Sequence, residues 1–121
     1  MLICVTAKGD NLEAEVDPRF GRCAYFIIVD TESLKFKAMA NPNAVASGGA
    51  GIQSSQLIAG EKVEAVVTGN VGPNAYQTLS SLGIKIFIGA SGLLKRLLFS
   101  IKRASLRRPK TQLFPKIPGN K

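Results

Sequence analysis

The segment DPRFGRC places a single thiol, Cys23, in a polar loop close to two guanidinium groups, Arg19 and Arg22. Thiolate is the metal-binding form of cysteine, and neighbouring positive charge lowers the pKa of a thiol. The same two arginines would complement a negatively charged ligand. Residues of these types at this spacing predict a site where a soft sulfur donor and positive charge act together on an anion.

Two glycine-containing segments would supply the rest of such a site. SGGAGIQSSQ lies just before a predicted helix, and NVGPNA opens a second one. Bare backbone N–H groups at a helix N-terminus favour bound anions. The predicted contacts from these segments are Gly48, Gly49, Gly51, Asn70, Gly72 and Asn74. The segments are neither a dinucleotide fingerprint, which needs a further glycine after a strand, nor a P-loop, which needs Gly-Lys-Ser/Thr.

Each feature also has a purely structural interpretation. Cys23 would be a small apolar residue packed beside Phe26, and Cys4, within an apolar strand, is predicted to be core. The glycines would only permit a tight loop, and Gly72 with Pro73 would only start a helix.

The loop charges have a similar alternative. Arg19 and Arg22 would form surface pairs with Asp17 or Glu15. Together with Glu13, these two acids are predicted to form a solvated face of the loop.

The elements that must position these residues alternate between apolar strands and short helices. MLICVTA, VEAVVTG and IKIFIGA are apolar runs typical of strands covered on both faces, and AYFIIVDTESLKFKAMAN indicates a hairpin. Helices are predicted from Ile52 to Gly60 and over NVGPNAYQTLSSLG, where Pro73 suits the first turn and Gly83 ends the helix. This order predicts an α/β fold with a mixed sheet and helices on its faces.

Length and composition limit the class of protein. A chain of 121 residues that is 45% hydrophobic is typical of one folded domain. No apolar run approaches about 18 residues, so we expect a cytoplasmic protein without a transmembrane segment. The absence of histidine removes the commonest general base and transition-metal ligand. Two cysteines without a CxxC motif form neither a disulfide framework nor a zinc site.

Three segments of the body resemble one known family. VDPRFGRCAYFIIVDTE, NPNAVASGGAGIQSSQLIA and VVTGNVGPNAYQTLSSLGIKIF are similar to the dinitrogenase iron–molybdenum cofactor biosynthesis family, over residues 1–92. The resemblance implies a ribonuclease-H-like three-layer α/β fold with a five-stranded mixed sheet and helices on both faces. It also implies non-enzymatic binding or carriage of an iron–sulfur or iron–molybdenum cluster or its precursor.

With this resemblance, the predicted anion becomes a metallocluster. Such a cluster needs a soft ligand, and we expect the thiolate of Cys23 to bind its metal. Because one thiolate cannot replace the four cysteines of a resident cluster, we expect transient holding of a preassembled cluster. Donor and acceptor proteins would be the partners, and a homodimer that shares the cluster is left open.

Another function class is a metal-free interaction or regulatory module with the same fold. A metal-dependent nuclease is not supported, because the strands offer only Glu64 and an isolated Asp30 where several converging carboxylates are needed.

The positive charge of the chain is confined to its last quarter. Residues 1–90 hold 7 Lys/Arg and 8 Asp/Glu, whereas residues 91–121 hold 9 Lys/Arg and no acid. We divide the chain into a family core (1–92), a basic amphipathic last helix (93–108) and a mobile tail (109–121). The helix would either pack its leucines on the sheet or tether the protein to a membrane or to nucleic acid, without specific nucleic-acid recognition.

The resemblance is expected to fail abruptly at Leu93. Codons permitted from Gly92 onward, read in a shifted frame, reproduce a helix typical of the family. We therefore predict that the basic tail arises from a reading-frame shift, in which case its charge has little functional meaning.

Overall fold

Eight elements make up the described part of the chain. The computed structural model describes residues 1–45 and 48–107, with side chains up to residue 103. In chain order the elements are β1 (Leu2–Ala7), β2 (Tyr25–Asp30), β3 (Phe36–Ala40), α1 (Ala50–Ala59), β4 (Ala65–Val67), α2 (Pro73–Ser81), β5 (Lys85–Phe87) and α3 (Leu94–Arg107).

The five strands form one mixed sheet in the order β3-β2-β1-β4-β5. β2 pairs antiparallel with both β1 and β3, whereas β1, β4 and β5 run parallel to one another. The structure therefore confirms an α/β fold with a five-stranded mixed sheet and three helices.

Apolar side chains cover both faces of the sheet, as the continuous apolar strands predict. Successive strand residues point to opposite faces, so an apolar run fills two layers of core. On one face Val5 packs with Leu98 of α3. On the other face Cys4 packs with Ile58 of α1 and Leu79 of α2, which confirms Cys4 as a core residue. The helices accordingly lie on both faces of the sheet.

Helix α1 begins at Ala50, earlier than the predicted start at Ile52. Its N-cap is Gly49, whose φ of 71° is a left-handed conformation that glycine adopts without strain. Gly51 therefore belongs to the first turn of the helix and not to the loop before it. A Cβ atom at Gly51 would lie 3.0 Å from the Cβ of Ala75, so this glycine lets α1 approach α2 closely.

Helix α3 packs on the sheet as the last helix of the fold. Leu94, Leu98 and Ile101 are buried in the same cluster as the strands, as the packing interpretation of this segment expects. The helix is described from Leu94 to Arg107. Residue 108 of the predicted helix and residues 109–121, predicted as a mobile tail, lie outside the described residues. The reading-frame shift stays a prediction, which the coding DNA tests directly.

The carboxyl end of the sheet is where its connections diverge. The loop after β1 (residues 8–24) leads towards β2, whereas the segment after β4 (residues 68–72) leads through α2 to β5 on the opposite side. Open α/β sheets bind their ligands in the crevice at such a switch point. Helices α1 and α2 both begin at this end, because α1 runs into β4 and α2 follows it.

Candidate anion-binding site

A cleft of about 400 Å³ lies at this switch point. It is bounded by the loop after β1, the segment after β4 and the first turns of α1 and α2. The residues that line it are Arg19, Phe20, Gly21, Arg22, Ala50, Gly51, Asn70, Gly72, Pro73, Asn74 and Ala75. Its walls thus combine two arginines, two helix N-termini and apolar side chains.

Backbone hydrogen bonds join the two loops beneath the cleft. The amide of Asn70 donates to the carbonyl of Pro18 at 2.7 Å, and the amide of Phe20 donates to the carbonyl of Asn70 at 3.2 Å. The contact requires glycine beside it, because a Cβ atom at Gly69 would lie 2.6 Å from the Cα of Pro18. The placement of the arginine-bearing loop in the fold therefore depends on a close approach between segments about fifty residues apart in sequence.

A second close approach fixes the other wall. A Cβ atom at Gly21 would lie 2.9 Å from the amide nitrogen of Gly51. The Gly21 carbonyl also accepts hydrogen bonds from the side chains of Ser54, at 3.1 Å, and Asn41, at 3.0 Å. The arginine-bearing loop is therefore held directly against the start of α1.

Both helix N-termini at the cleft lack a side-chain cap. Gly49 and Gly72 are the N-cap residues, neither forms a side-chain capping bond, and neither first turn contains an acid. The first amide groups of a helix have no partner within the helix and bear the positive end of its dipole. Two uncapped termini facing one cleft therefore favour a bound anion.

Arg19 is held by a buried carboxylate. Its Nε and Nη2 atoms donate to Oδ1 and Oδ2 of Asp17, each at 3.2 Å, while the Arg19 side chain is 65% exposed. Asp17 is only 2% exposed, so its prediction as part of a solvated loop face is wrong. The predicted pairing of Arg19 with Asp17 is confirmed, and it orients the guanidinium at the cleft.

The electrostatic state of Asp17 follows from these contacts. Burial alone would raise its pKa, but the side-chain and backbone hydrogen bonds from Arg19, with the Ala24 amide, outweigh it and lower the pKa. Asp17 thus remains a carboxylate at neutral pH, and its backbone is anchored by the Thr6 hydroxyl, which donates to the Asp17 carbonyl at 2.6 Å.

This pairing predicts a pH dependence of stability. Because the folded-state pKa of Asp17 is lowered, its contribution is complete above the unfolded value of about 3.9 and is lost as the pH falls through the folded value. We expect Asp17→Asn to reduce the free energy of unfolding by about 2 kcal/mol at pH 7. Denaturant titrations of both proteins should show this difference shrinking below about pH 4.

The control for this prediction is Glu32→Gln, an exposed carboxylate changed in the same way. Asp30, whose pKa is also lowered by backbone amides, is present in every variant, so its contribution cancels in the differences. A difference between wild type and Asp17→Asn that persisted unchanged to pH 2 would contradict the assignment.

Cys23 departs most from the sequence-based expectation. Its side chain is fully buried in the cluster with Phe20 and Phe26, and it is not among the residues that line the cleft. Burial and the negative charge of Asp17 raise the pKa of the thiol, and these effects outweigh the opposing effect of Arg19. Arg19 does lower this pKa, as expected, but burial outweighs it and the net shift is upward. The interpretation of Cys23 as a buried apolar residue therefore fits the structure.

Asn41 is the residue that sequence reasoning missed. Its Nδ2 donates to the carbonyl oxygens of Gly21, at 3.0 Å, and Cys23, at 2.9 Å, and lies 3.9 Å from the Cys23 Sγ. The residue is 7% exposed and follows β3 directly. The only local signal was a polar side chain just after a strand, which is also typical of a turn.

Removing the Asn41 amide is expected to loosen the loop. Asn41→Ala leaves the buried carbonyl of Cys23 without this donor, which costs about 1–3 kcal/mol. We expect a lower melting temperature and faster alkylation of Cys23. Mass spectrometry of the peptide that contains Cys23 measures the alkylation rate. Asn43→Ala is the matched control on the half-buried neighbour in the same turn. Equal alkylation rates in the two variants would show that Asn41 does not close the loop over the thiol.

The structure brings most of the predicted site together. The cleft contains Arg19, Arg22, Gly51, Asn70, Gly72 and Asn74 from the predicted set. Gly48 and Gly49 precede α1 and are not among its lining residues, and Gly49 instead forms the left-handed N-cap of the helix. Cys23 lies behind the cleft wall.

The sequence of this chain matches a known protein family. A sequence profile of the dinitrogenase iron-molybdenum cofactor family matches residues 1–102. The chain belongs to this family. The match extends beyond residue 92, where the resemblance was expected to end, and so includes the first part of α3.

One curated protein is similar to this chain over part of its length. A protein of Methanocaldococcus jannaschii without an assigned function is 36% identical over 75 residues, which cover 60% of this chain and 64% of that protein. The chain thus spans less than two thirds of that relative's length.

Two solved structures have a closely similar fold. The apo form of the orange protein from Desulfovibrio gigas is 35% identical, with a TM-score of 0.75 over 99% of this chain and 95% of that one. A Thermotoga protein provisionally designated NifB is 30% identical, with a TM-score of 0.68 over 88% of this chain and 86% of that one.

Within the described ranges, no helix is long and apolar enough to cross a membrane.

Proposed function

We propose that this family member binds an anionic metallocluster or its precursor in the cleft, without catalysing a reaction on it. The observation that supports this most directly is the convergence of Arg19, Arg22 and two uncapped helix N-termini on one cleft. Backbone N–H groups and guanidinium groups are the donors that proteins use for multiply charged anions. The family, described as that of the dinitrogenase iron-molybdenum cofactor, supports an iron–molybdenum or iron–sulfur type of cluster as the anion.

The residues at the cleft favour binding from outside the metal coordination sphere. Metal ligation needs clustered thiolate, imidazole or carboxylate groups, and no such group of three or more occurs in the described ranges. The Cys23 thiol is sealed behind the wall, and its raised pKa disfavours the ligating thiolate. The cargo would therefore retain its own sulfide shell and be held by charge and hydrogen bonds, in place of the ligation by Cys23 predicted from sequence.

This mode of binding suits transient holding and transfer. A cluster held without metal–protein bonds is released without ligand exchange, so donor and acceptor proteins are the proposed partners, and a homodimer would add a second set of donors. The strand order β3-β2-β1-β4-β5 and three-layer arrangement support the finer proposal of a ribonuclease-H-like fold.

An anaerobic titration with tetrathiomolybdate tests the proposal, with molybdate as the oxygen counterpart of equal charge and shape. We expect saturable binding of tetrathiomolybdate and much weaker binding of molybdate. Tetrathiomolybdate has a lower charge density than molybdate. Its removal from water against the apolar walls formed by Phe20, Pro73 and Ala75 therefore costs less free energy. Failure to bind either anion would instead favour the metal-free interaction or regulatory module.

A further inference from the structure

The solvent-facing side of α3 presents one large aromatic side chain. Phe99 is 57% exposed, whereas Leu94, Leu98 and Ile101 on the opposite side of the helix are buried in the core. More than half of Phe99 is therefore outside the core that the buried side of α3 forms with the sheet. It is therefore available to contact another molecule.

The nearest helical neighbours of Phe99 are all basic. Residues three and four positions away lie beside a given residue on a helix surface. For Phe99 these positions hold Lys95, Arg96, Lys102 and Arg103. The Arg103 guanidinium carbon lies 5.6 Å from the centre of the Phe99 ring. Four cations thus surround one exposed ring, which we call the Phe99 face of α3.

The charge of this face is only slightly compensated. Lys95 forms an ion pair with Glu13 across a distance of 2.8 Å, and both side chains are exposed at the edge of the helix. Residues 91–121 contain 9 Lys/Arg and no acid. An approaching polyanion would therefore meet positive charge around the ring and in the sequence that follows it.

We propose that the Phe99 face binds single-stranded nucleic acid without sequence preference. Proteins that bind single strands combine basic groups along the phosphates with aromatic rings on which bases stack. The Arg103 guanidinium lies over one face of the Phe99 ring, so a base would stack on the other face. Arg96 lies on the same side of the helix, and seven residues of helix place it about 10 Å from Arg103 along the axis. That separation lets a strand place a base on Phe99 with a phosphate near each arginine.

An anionic bilayer suits this helix less well. Amphipathic helices bind membranes by burying their apolar side in the lipid. In α3 that side is occupied by the core, where Leu94 and Leu98 are 0% exposed. Among the side chains of α3 that the structure describes, Phe99 is the one large apolar group left exposed for insertion, whereas stacking with a base needs only one ring.

The proposal is independent of cluster binding. Helix α3 covers one face of the sheet, whereas α1 and α2, whose first turns line the cleft, cover the other. The proposal differs from the expectation, attached to the predicted reading-frame shift, that the charge of this segment has little functional meaning.

Fluorescence anisotropy with labelled oligothymidylate and oligouridylate, using the full chain, tests the proposal. We expect Phe99→Ala to weaken binding of both roughly 10-fold through loss of base stacking. Arg96→Gln should lower the salt dependence of binding by about 0.7 in the slope of log K against log salt. Lys85→Gln, which removes an exposed charge on β5, is the matched control and should leave the affinity within about twofold.

Three results would overturn the proposal. The first is no binding of either oligonucleotide at 50 mM salt. The second is affinity unchanged by Phe99→Ala, which would assign binding to the charged segment after the helix. The third is binding to phosphatidylserine vesicles without binding to the oligonucleotides. Melting curves of each variant confirm that the fold is intact, as expected for substitutions of exposed side chains.

Discussion

Replacing Gly69 by alanine is expected to lower the free energy of unfolding by about 3 kcal/mol, a large fraction of the stability of a small domain. The added Cβ would lie 2.6 Å from the Cα, 2.8 Å from the Cβ and 3.0 Å from the carbonyl oxygen of Pro18. These are backbone and ring atoms that cannot rotate away. Relief of the clash would separate the two loops and break the 2.7 Å hydrogen bond from the Asn70 amide to Pro18. Urea denaturation measures the loss.

Gly72→Ala is the matched control for this prediction. No atom lies within 4 Å of a Cβ built there, and the φ of −71° suits any residue. We expect a change in unfolding free energy within about 0.5 kcal/mol, or a small gain from the reduced entropy of the unfolded chain. Equal losses of stability in the two variants would show that the contact with Pro18 does not hold the loops together.

Replacing Arg22 by glutamine is expected to weaken tetrathiomolybdate binding about 10- to 100-fold. A hydrogen bond to a charged group contributes about 1.5–3 kcal/mol, and Arg22 is an exposed cation in the cleft wall. Arg22→Lys keeps the charge but not the planar set of donors, so its affinity should lie between those of wild type and Arg22→Gln. Isothermal titration calorimetry under anaerobic conditions measures the three affinities.

Two controls distinguish this effect from general electrostatics. Lys85→Gln removes the same charge from β5, whose first residue lies at the amino end of the sheet, away from the cleft. It should change the affinity by less than about twofold, because exposed charges beyond a Debye length are screened. An equal loss in Lys85→Gln and Arg22→Gln would contradict a specific role for the cleft.

The sheet and its helices were largely predictable because their signals are local. Apolar runs in β1 and β4 indicate strands covered on both faces, and Pro73 and Gly83 mark the ends of the second helix. The start of α1 was misjudged since Gly51 suggests a loop when its neighbours in space are unknown. Only the contact with Ala75 explains a glycine in that helical turn.

Most residues of the cleft could be predicted from the sequence, but the burial of Asp17 and Cys23 beside it could not. Burial of Asp17 and Cys23 depends on the loop folding back over the end of the sheet, where Thr6 and Asn41 bind its backbone. Those contacts join segments that are distant in sequence, so a polar stretch appeared solvated when it closes part of the core. The same burial removes the thiolate on which the predicted ligation of the cluster depended.

In the proposed mode of binding, the cleft holds its anion by charge and hydrogen bonds and not by a metal–sulfur bond to Cys23. The most direct test compares tetrathiomolybdate affinity in wild type, Cys23→Ala and Arg22→Gln under identical anaerobic conditions. We expect the affinity of Cys23→Ala to stay within about twofold of wild type and that of Arg22→Gln to fall at least about 10-fold. Abolished binding in Cys23→Ala, with the fold intact and Arg22→Gln unaffected, would contradict this mode of binding.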